Sequence, residues 1–472
     1  MRIERYVSRT QNDCAFELSN PVNDGKNFFS ILVGENGVGK SQLLRDIFMT
    51  VFNSMVNASL FDDLGVVDDS TGRLTLLPHV TEGFSWPPPQ IIALSGVATD
   101  KFPNKRSLVS RNRSKFDSSY YLYCGPKSEN GMVSRNLSER QLHVEILRNM
   151  HHAAVRGKAI GAAFELFPQA KGAIFRAFYD DKVGRRPPSS IDQLKKRLDA
   201  FIADDASPKS TMANVDPSVA EELVELYDNA DFLPTCLTVL REQRGVSWTL
   251  LSNGTFDGTL SEIERTALRV LGTLRLLKMR GALLLPREEP LSFDALSSGQ
   301  WQVLSSILLV AFAVRDDALV LVDEPENSLH PAWQQKYLPT LVNAMAHVRG
   351  AHVVVATHSP LVAASIHPDI GSVCAVKRTL TGRVHAELLS RTTFGWSADD
   401  ILQEVFGLAS SRSINFRQDL DGALKLIGQG EIHSKKLDRI LTRLNIATAG
   451  LPEMDTVREV VATMNALAAE RE

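Results

Sequence analysis

Three short stretches hold residues whose types and spacing could do chemistry. The first, ILVGENGVGKSQLL, sets Gly34, Gly39, Lys40 and Ser41 in the order Gly-x4-Gly-Lys-Ser. An apolar run precedes it, and the helix-spaced SQLLRDIFMTVFNSM (41–55) follows. This is the phosphate-loop pattern. Glycines let backbone N–H groups turn inward around a β-phosphate, at a helix N-terminus where anions are favoured. The cradle is expected to run through Gly34, Glu35, Asn36, Gly37, Val38, Gly39, Lys40, Ser41 and Gln42. Lys40 is expected at the β- and γ-phosphates of ATP, and Ser41 on Mg²⁺. The second stretch, ALVLVDEPENSLHP, ends an apolar run in Asp323 and Glu324. An acidic residue at the end of a buried strand can hold magnesium, which assigns Asp323 as a metal ligand. Glu324 is placed to orient or deprotonate an attacking water. The third, VVVATHSP, puts His358 after the next buried strand, beside Glu324 at the edge where such sheets collect ligands. There it can contact a γ-phosphate.

A fourth turn, LSSGQ, holds Ser297, Ser298, Gly299 and Gln300, and Asp323 follows 23 residues after Gln300. Together these features resemble the ABC-type ATPase heads. LSSGQ is similar to that family's signature, usually written LSGGQ, with Ser298 where a glycine is commonest. The resemblance implies two heads packed head to tail, with each ATP held between the phosphate loop of one and the signature of the other. Ser297, Ser298, Gly299 and Gln300 would then cap the γ-phosphate in trans. ENSLHP (326–331) and THSP resemble the branch of SMC-like repair ATPases and overcoming-lysogenization-defect nucleases. IIALSGVATDKFP (91–103), YYLYCG (120–125) and FGWSADDILQEVFG (394–407) are similar to the Septu-type (PtuA-like) and retron-associated phage-defence ATPase subunits. That likeness implies a partner effector, an HNH-type nuclease whose activity the ATP state controls. The alternative within the same branch is a DNA-repair or DNA-clamping ATPase acting directly on nucleic acid. A transporter subunit is the third reading. One feature departs from the family. The Q-loop glutamine is not evident: Gln90 precedes a strand, and Asp100 is the nearest substitute by position.

The elements that must position these residues are legible as runs. IERYV, CAFEL and FFSILV are short β-prone segments, and ALVLVDEP and AHVVVATHSP read as parallel strands buried on both faces. AWQQKYLPTLVNAMAHV is the crossover helix between the latter two. The expected fold is therefore α/β, an ABC-ATPase head with a mixed sheet around the phosphate loop. Its N-terminal part spans 1–137 and its C-terminal part 286–390. Three-to-four apolar spacing predicts a helical insertion over 138–285 and a small helical C-terminal extension over 391–472. QDLDG (418–422) contains an Asp-x-Asp pair, a nuclease metal motif in some relatives. Asp419 and Asp421 have helical neighbours and no strand before them, so no built-in nuclease is expected.

Composition narrows the partners. A net charge of −3 excludes a wholesale polyanion binder and leaves local basic patches for any DNA or RNA contact. The candidates are KFPNKRSLVSRNRSK (101–115), KVGRR (182–186) and KKR (195–197). Four scattered cysteines, Cys14, Cys124, Cys236 and Cys374, suggest neither zinc nor a disulfide framework. No apolar stretch is long enough to span a bilayer and no signal peptide opens the chain, so a cytoplasmic protein without a membrane part is expected.

Overall fold

The computed structural model describes residues 2–11, 14–18, 25–56, 66–76, 90–103, 108, 120–127, 135–179, 186–204, 217–258, 260–379, 382–390, 393–408 and 411–469. Its contacts divide the chain into two units, Met1–Trp396 and Ser397–Glu472.

The first unit is mixed α/β and is organised by a seven-stranded sheet. In sheet order its strands are β16 (Val384–Leu388), β15 (Gly371–Arg378), β3 (Phe28–Val33), β14 (His352–Thr357), β13 (Leu319–Asp323), β6 (Ile91–Ser95) and β7 (Tyr121–Cys124). All neighbours run parallel except β15 and β16. The four central strands β3, β14, β13 and β6 are buried along their whole length, as their unbroken apolar runs require of a sheet covered on both faces. Helix α1 (Lys40–Val56) packs Leu43, Leu44, Ile47 and Phe48 into one core with Leu32, Leu321 and Val354 of those strands.

Register brings three strand ends level. Asp323 pairs with Ala356, Ala356 with Leu32, and Thr357 with Val33. The turns that leave β3, β13 and β14 therefore open side by side at the carboxyl edge, where ligands bind in such sheets.

Two antiparallel sheets flank this frame. One joins β1 (Ile3–Ser8), β2 (Cys14–Glu17), β4 (Val66–Asp68) and β5 (Gly72–Leu76) in the order β2-β1-β5-β4. The other lies largely in the segment expected to be a helical insertion, and corrects that expectation. Helices α2 (Arg135–Asn149), α3 (Gly157–Glu165), α4 (Ile191–Asp204), α5 (Pro217–Tyr227), α6 (Phe232–Arg241) and α7 (Glu262–Thr273) are present. With them stand β8 (Gly172–Tyr179), β9 (Val246–Leu251), β10 (Phe256–Asp257) and β11 (Leu277–Leu284), to which β12 (Leu291–Ser292) adds an edge. In β11, buried and half-buried residues alternate along LKMRGALL, with Lys278 and Arg280 on the outer face.

Helices α8 (Ser298–Ala313), α9 (Pro331–Ala344) and the short α10 (Pro360–Ala363) complete the sheet unit. The second unit holds α11 (Ala398–Glu404) and three longer helices: α12 (Ile414–Gly428), α13 (Lys435–Ala449) and α14 (Thr456–Ala469). The longer three close around their own core of Leu426, Leu437, Leu441, Leu444, Val461 and Met464. Among the described residues, no helix is long and apolar enough to cross a membrane. The four cysteines are free thiols.

Candidate functional site

The glycine loop connects β3 to α1, and its glycines answer to two different needs. A Cβ on Gly34 would lie 2.2 Å from the Val376 carbonyl oxygen of β15, so only glycine allows that approach. Gly37 and Gly39 have φ of +79° and +107°, which side chains disfavour. Glu35, Asn36 and Gly37 form the exposed crest, while Val38 folds back into the core. Two side chains brace the loop from outside. Gln11 Nε2 donates to the Gly39 carbonyl at 2.9 Å, and Arg378 donates to that of Gly37 at 3.0 Å. Lys40 Nζ reaches back over the loop to the carbonyls of Gly34 and Glu35, at 2.7 and 2.9 Å. Burial lowers its pKa, while the carboxylates of Glu324, Glu326, Asp323 and Glu35 pull it back up. Gln42 is turned to Asp46 and Lys101.

Ser41 lies in the first turn of α1 and points across the sheet edge. Its hydroxyl donates to Asp323 Oδ1 at 2.9 Å, joining residues 282 positions apart. The other oxygen, Asp323 Oδ2, is buried and has no hydrogen-bond partner among the described residues. Burial, with Glu324 and Asp100 nearby, raises the Asp323 carboxyl to about 7, against the pull of the Ser41 hydrogen bond. A hydroxyl and a buried carboxylate with a free oxygen are hard oxygen donors, and they fit a magnesium ion. Glu324 follows immediately with φ +46°, a left-handed conformation rare outside glycine. Its amide still extends the ladder to the Ala356 carbonyl at 2.8 Å, and its own carbonyl presses against Gly96, which has no room for a Cβ. The strained turn lifts Glu324 half-exposed above the sheet edge.

His358 leaves the adjacent strand β14, and the structure attaches to it a residue that sequence reasoning did not single out. Glu326 is buried, and its Oε1 accepts from Thr357 Oγ1 at 2.7 Å, the His358 amide at 2.6 Å and the Ser359 amide at 3.1 Å. His358 Nδ1 lies 3.1 Å from the same oxygen, near enough for an ion pair but without hydrogen-bond alignment. The only sequence signal was its place in ENSLHP.

The LSSGQ turn starts α8. Ser297 caps the helix: its hydroxyl accepts from the Gln300 amide at 3.2 Å, and Gln300 Oε1 accepts from the Ser297 amide at 2.9 Å. Ser298 is exposed at the first helical position, where backbone N–H groups have no partner within the helix. Gly299 has a steric role, because a Cβ there would meet the Ser328 carbonyl oxygen at 2.3 Å. The turn is thus packed against the segment that follows Asp323 and Glu324. It is also gripped from α2, where Arg135 donates to the Leu296 and Phe293 carbonyls and lies over the Trp301 ring.

The remaining candidates lie elsewhere. Gln90 is pinned below the sheet by Ala313 and Arg315. Asp100 is buried and fully engaged by Tyr123, Lys127 and the Phe102 amide. Of the three basic stretches, Lys105, Arg106, Arg111, Arg113, Lys115, Lys182 and Arg185 lie outside the described residues. Arg197 bonds Tyr179 and Arg186, and Lys195 lies over the Tyr227 ring. Asp419 sits in the middle of α12 and pairs with Arg443 at 2.5 Å, while Asp421 faces Arg417 one turn back.

The sheet and its level strand ends bring the glycine loop, Asp323, Glu324 and His358 to one edge. Residues 271–364 match the family model described as "AAA domain, putative AbiEii toxin, Type IV TA system". That span takes in the LSSGQ turn, Asp323, Glu324 and His358, and ends short of the glycine loop on its N-terminal side. No curated protein matches the sequence. Among solved structures the chain is similar to an Smc head bound to the C-terminal winged-helix domain of ScpA, at 12% identity and a TM-score of 0.34, over 83% of this chain and 98% of that one. It is also similar to the Smc head with an extended coiled coil bound to the C-terminal domain of ScpA from Pyrococcus furiosus, at 11% identity and 0.31, over 82% and 96%. A metal-chelate type ABC transporter in an inward-facing conformation aligns at 13% identity and 0.26, over 83% and 97%. These likenesses are too distant to carry over any residue, ligand or partner.

Proposed function

We propose that the chain is an ABC-type ATPase head that binds ATP with Mg²⁺ and hydrolyses it. The observation that carries this reading is the Ser41–Asp323 hydrogen bond, which closes the glycine loop onto the acidic strand end. Lys40 holds the β- and γ-phosphates once they replace its two loop carbonyls. Ser41 and Asp323 would hold the ion, which would supply charge neutralisation for the phosphates. Glu324 orients and deprotonates water, and His358 contacts the γ-phosphate. The exposed start of α8, with Ser298 outermost and Ser297 and Gln300 locked in their cap, offers its free N–H groups to the γ-phosphate of a second copy. ATP thereby closes a head-to-tail dimer.

Such a switch needs something to control. The regions not required for hydrolysis are the 138–285 segment and the C-terminal unit, which exposes Ile414, Ile446 and Met454. We read the output as a partner effector of HNH-nuclease type in anti-phage defence, on the resemblance of residues 91–103, 120–125 and 394–407 to Septu-type subunits.

The primary test measures ATP binding and steady-state hydrolysis in two variants. Lys40→Ala removes the loop's cation, and ATP affinity is expected to fall sharply. Glu324→Gln keeps the shape and removes the base, so ATP still binds while turnover stops and the closed dimer accumulates. Hydrolysis by Glu324→Gln at the wild-type rate would overturn the assignment. Pull-down of a co-expressed neighbouring nuclease tests the partner separately.

A further inference from the structure

We propose that Glu326 is a positioning residue for hydrolysis: it holds the turn that carries His358 and fixes which imidazole nitrogen faces the terminal phosphate. The proposal deepens the ATPase reading and rests on it.

The argument begins with cost. A buried carboxylate is unfavourable unless hydrogen bonds or an opposite charge compensate it. Glu326 is almost wholly buried, and its compensation is lopsided. Oε1 receives the Thr357 hydroxyl and the amides of His358 and Ser359, while Oε2 is buried with no partner among the described residues. Lys40 is near enough to feel its charge. Glu326 therefore ties three features together: the turn after β13, the turn after β14, and the electrostatics of the glycine loop.

Binding those donors does not by itself require a charge. A neutral amide oxygen could accept from Thr357, His358 and Ser359 equally well. The remaining neighbour is different. The imidazole of His358, with 38% of its side chain exposed, presents Nδ1 at 3.1 Å from the same oxygen. In the proposed arrangement the ring turns so that Nδ1–H meets this oxygen and Nε2 faces the terminal phosphate. A neutral ring that donates from Nε2 carries no proton on Nδ1, so both bonds form together only in the imidazolium, whose second proton needs an acceptor. Glu326 is the acceptor in place for that second bond. Carboxylates that orient a working histidine act in this way elsewhere.

The test uses the full chain and four variants: Glu324→Gln, Glu326→Gln, His358→Ala, and the last two combined. Glu326→Gln keeps an acceptor for the turn and removes the charge. Its ATP affinity and melting temperature are expected near wild type, with kcat lowered about ten- to a hundredfold. His358→Ala is expected to lose a similar factor, and the double variant to be no slower than His358→Ala alone, because both act through one ring. Wild-type kcat in Glu326→Gln, or losses that multiply in the double variant, would sink the proposal. Glu324→Gln in the same assay reports on the ATPase reading by itself. A readout independent of turnover comes from ¹⁵N NMR of His358, assigned by its absence in His358→Ala, with a non-hydrolysable ATP analogue bound. The Nδ1 resonance is expected to move between wild type and Glu326→Gln. An unchanged resonance overturns the proposal even in a protein that hydrolyses nothing.

Discussion

Single positions carry more than one duty in this site. Gly299 belongs to a motif read from sequence as a phosphate cap, yet its closest neighbour is the Ser328 carbonyl of its own chain. Gly299→Ala must push that carbonyl away or shift the start of α8. We expect a loss of about 1–3 kcal/mol in stability, read by thermal or urea unfolding, together with weakened hydrolysis. Two buried histidines away from the carboxyl edge of the sheet make the fold sensitive to acid. His352 Nδ1 accepts from the Ile3 amide at 3.0 Å, and its Nε2 lies 2.7 Å from Ser30 Oγ, which itself donates to the Leu18 carbonyl. His143 packs against Phe175 and Trp248 with neither ring nitrogen bonded to a described residue. Burial lowers both from 6.5 to about 3, with Arg280 adding to the effect at His143 and Arg2 at His352. The unfolded chain thus binds protons that the folded chain refuses. Their contribution is complete above pH 6.5 and is lost as pH falls from there toward 3. Melting temperature is expected to decline across that window, and His143→Phe to make the decline shallower.

At the scale of elements, the buried strands and their exits were legible because their apolar runs are unbroken. ALVLVD and HVVVAT admit no reading but strands covered on both faces, and the chemistry follows their ends. The sheet of β8 to β12 was not legible, since β8 and β11 break their apolar residues with arginines and a lysine and β10 and β12 are two residues each. LGTLRLLKM satisfies helical spacing, but the helix stops at Thr273, Arg275 takes a left-handed φ of 61°, and period two begins at Leu277. In the site, the fixed motif residues were readable from spacing. Glu326, Gln11 and Arg378 were not, because each acts through a partner distant in sequence. The capped start of α8 gives an element-level prediction. Ser297→Ala removes the hydroxyl that caps the Gln300 amide and is expected to cost about 1 kcal/mol of stability. Because Arg135 of α2 and the Ser328 turn still hold that start, ATP affinity is expected to change less than hydrolysis, measured by nucleotide titration and steady-state turnover.

For the whole molecule, the proposed shared site makes a definite forecast. Lys40→Ala and Ser298→Arg subunits, each inactive, are expected to recover part of the hydrolysis rate when mixed, since one composite site is then intact. Wild-type protein that stays monomeric by light scattering under saturating ATP would refute the dimer. The C-terminal unit has its own core, so a chain ending at Trp396 is expected to fold and hydrolyse ATP while losing any co-expressed partner that docks beyond it. The order of the central sheet also bears on how the protein is made. Strand β3, which carries the glycine loop, has β14 on one side and β15 on the other, and Ser30 meets His352 across 322 positions. At a translation rate of 5–20 residues per second, the ribosome needs roughly 16 to 64 s to produce those neighbours. Throughout that interval Phe28–Val33 and the apolar face of α1 have emerged with both strand edges bare. A nascent chain stalled before His352 should therefore be held by chaperones and cut readily within its first third, and should gain protease resistance only once residues through Arg378 have cleared the exit tunnel.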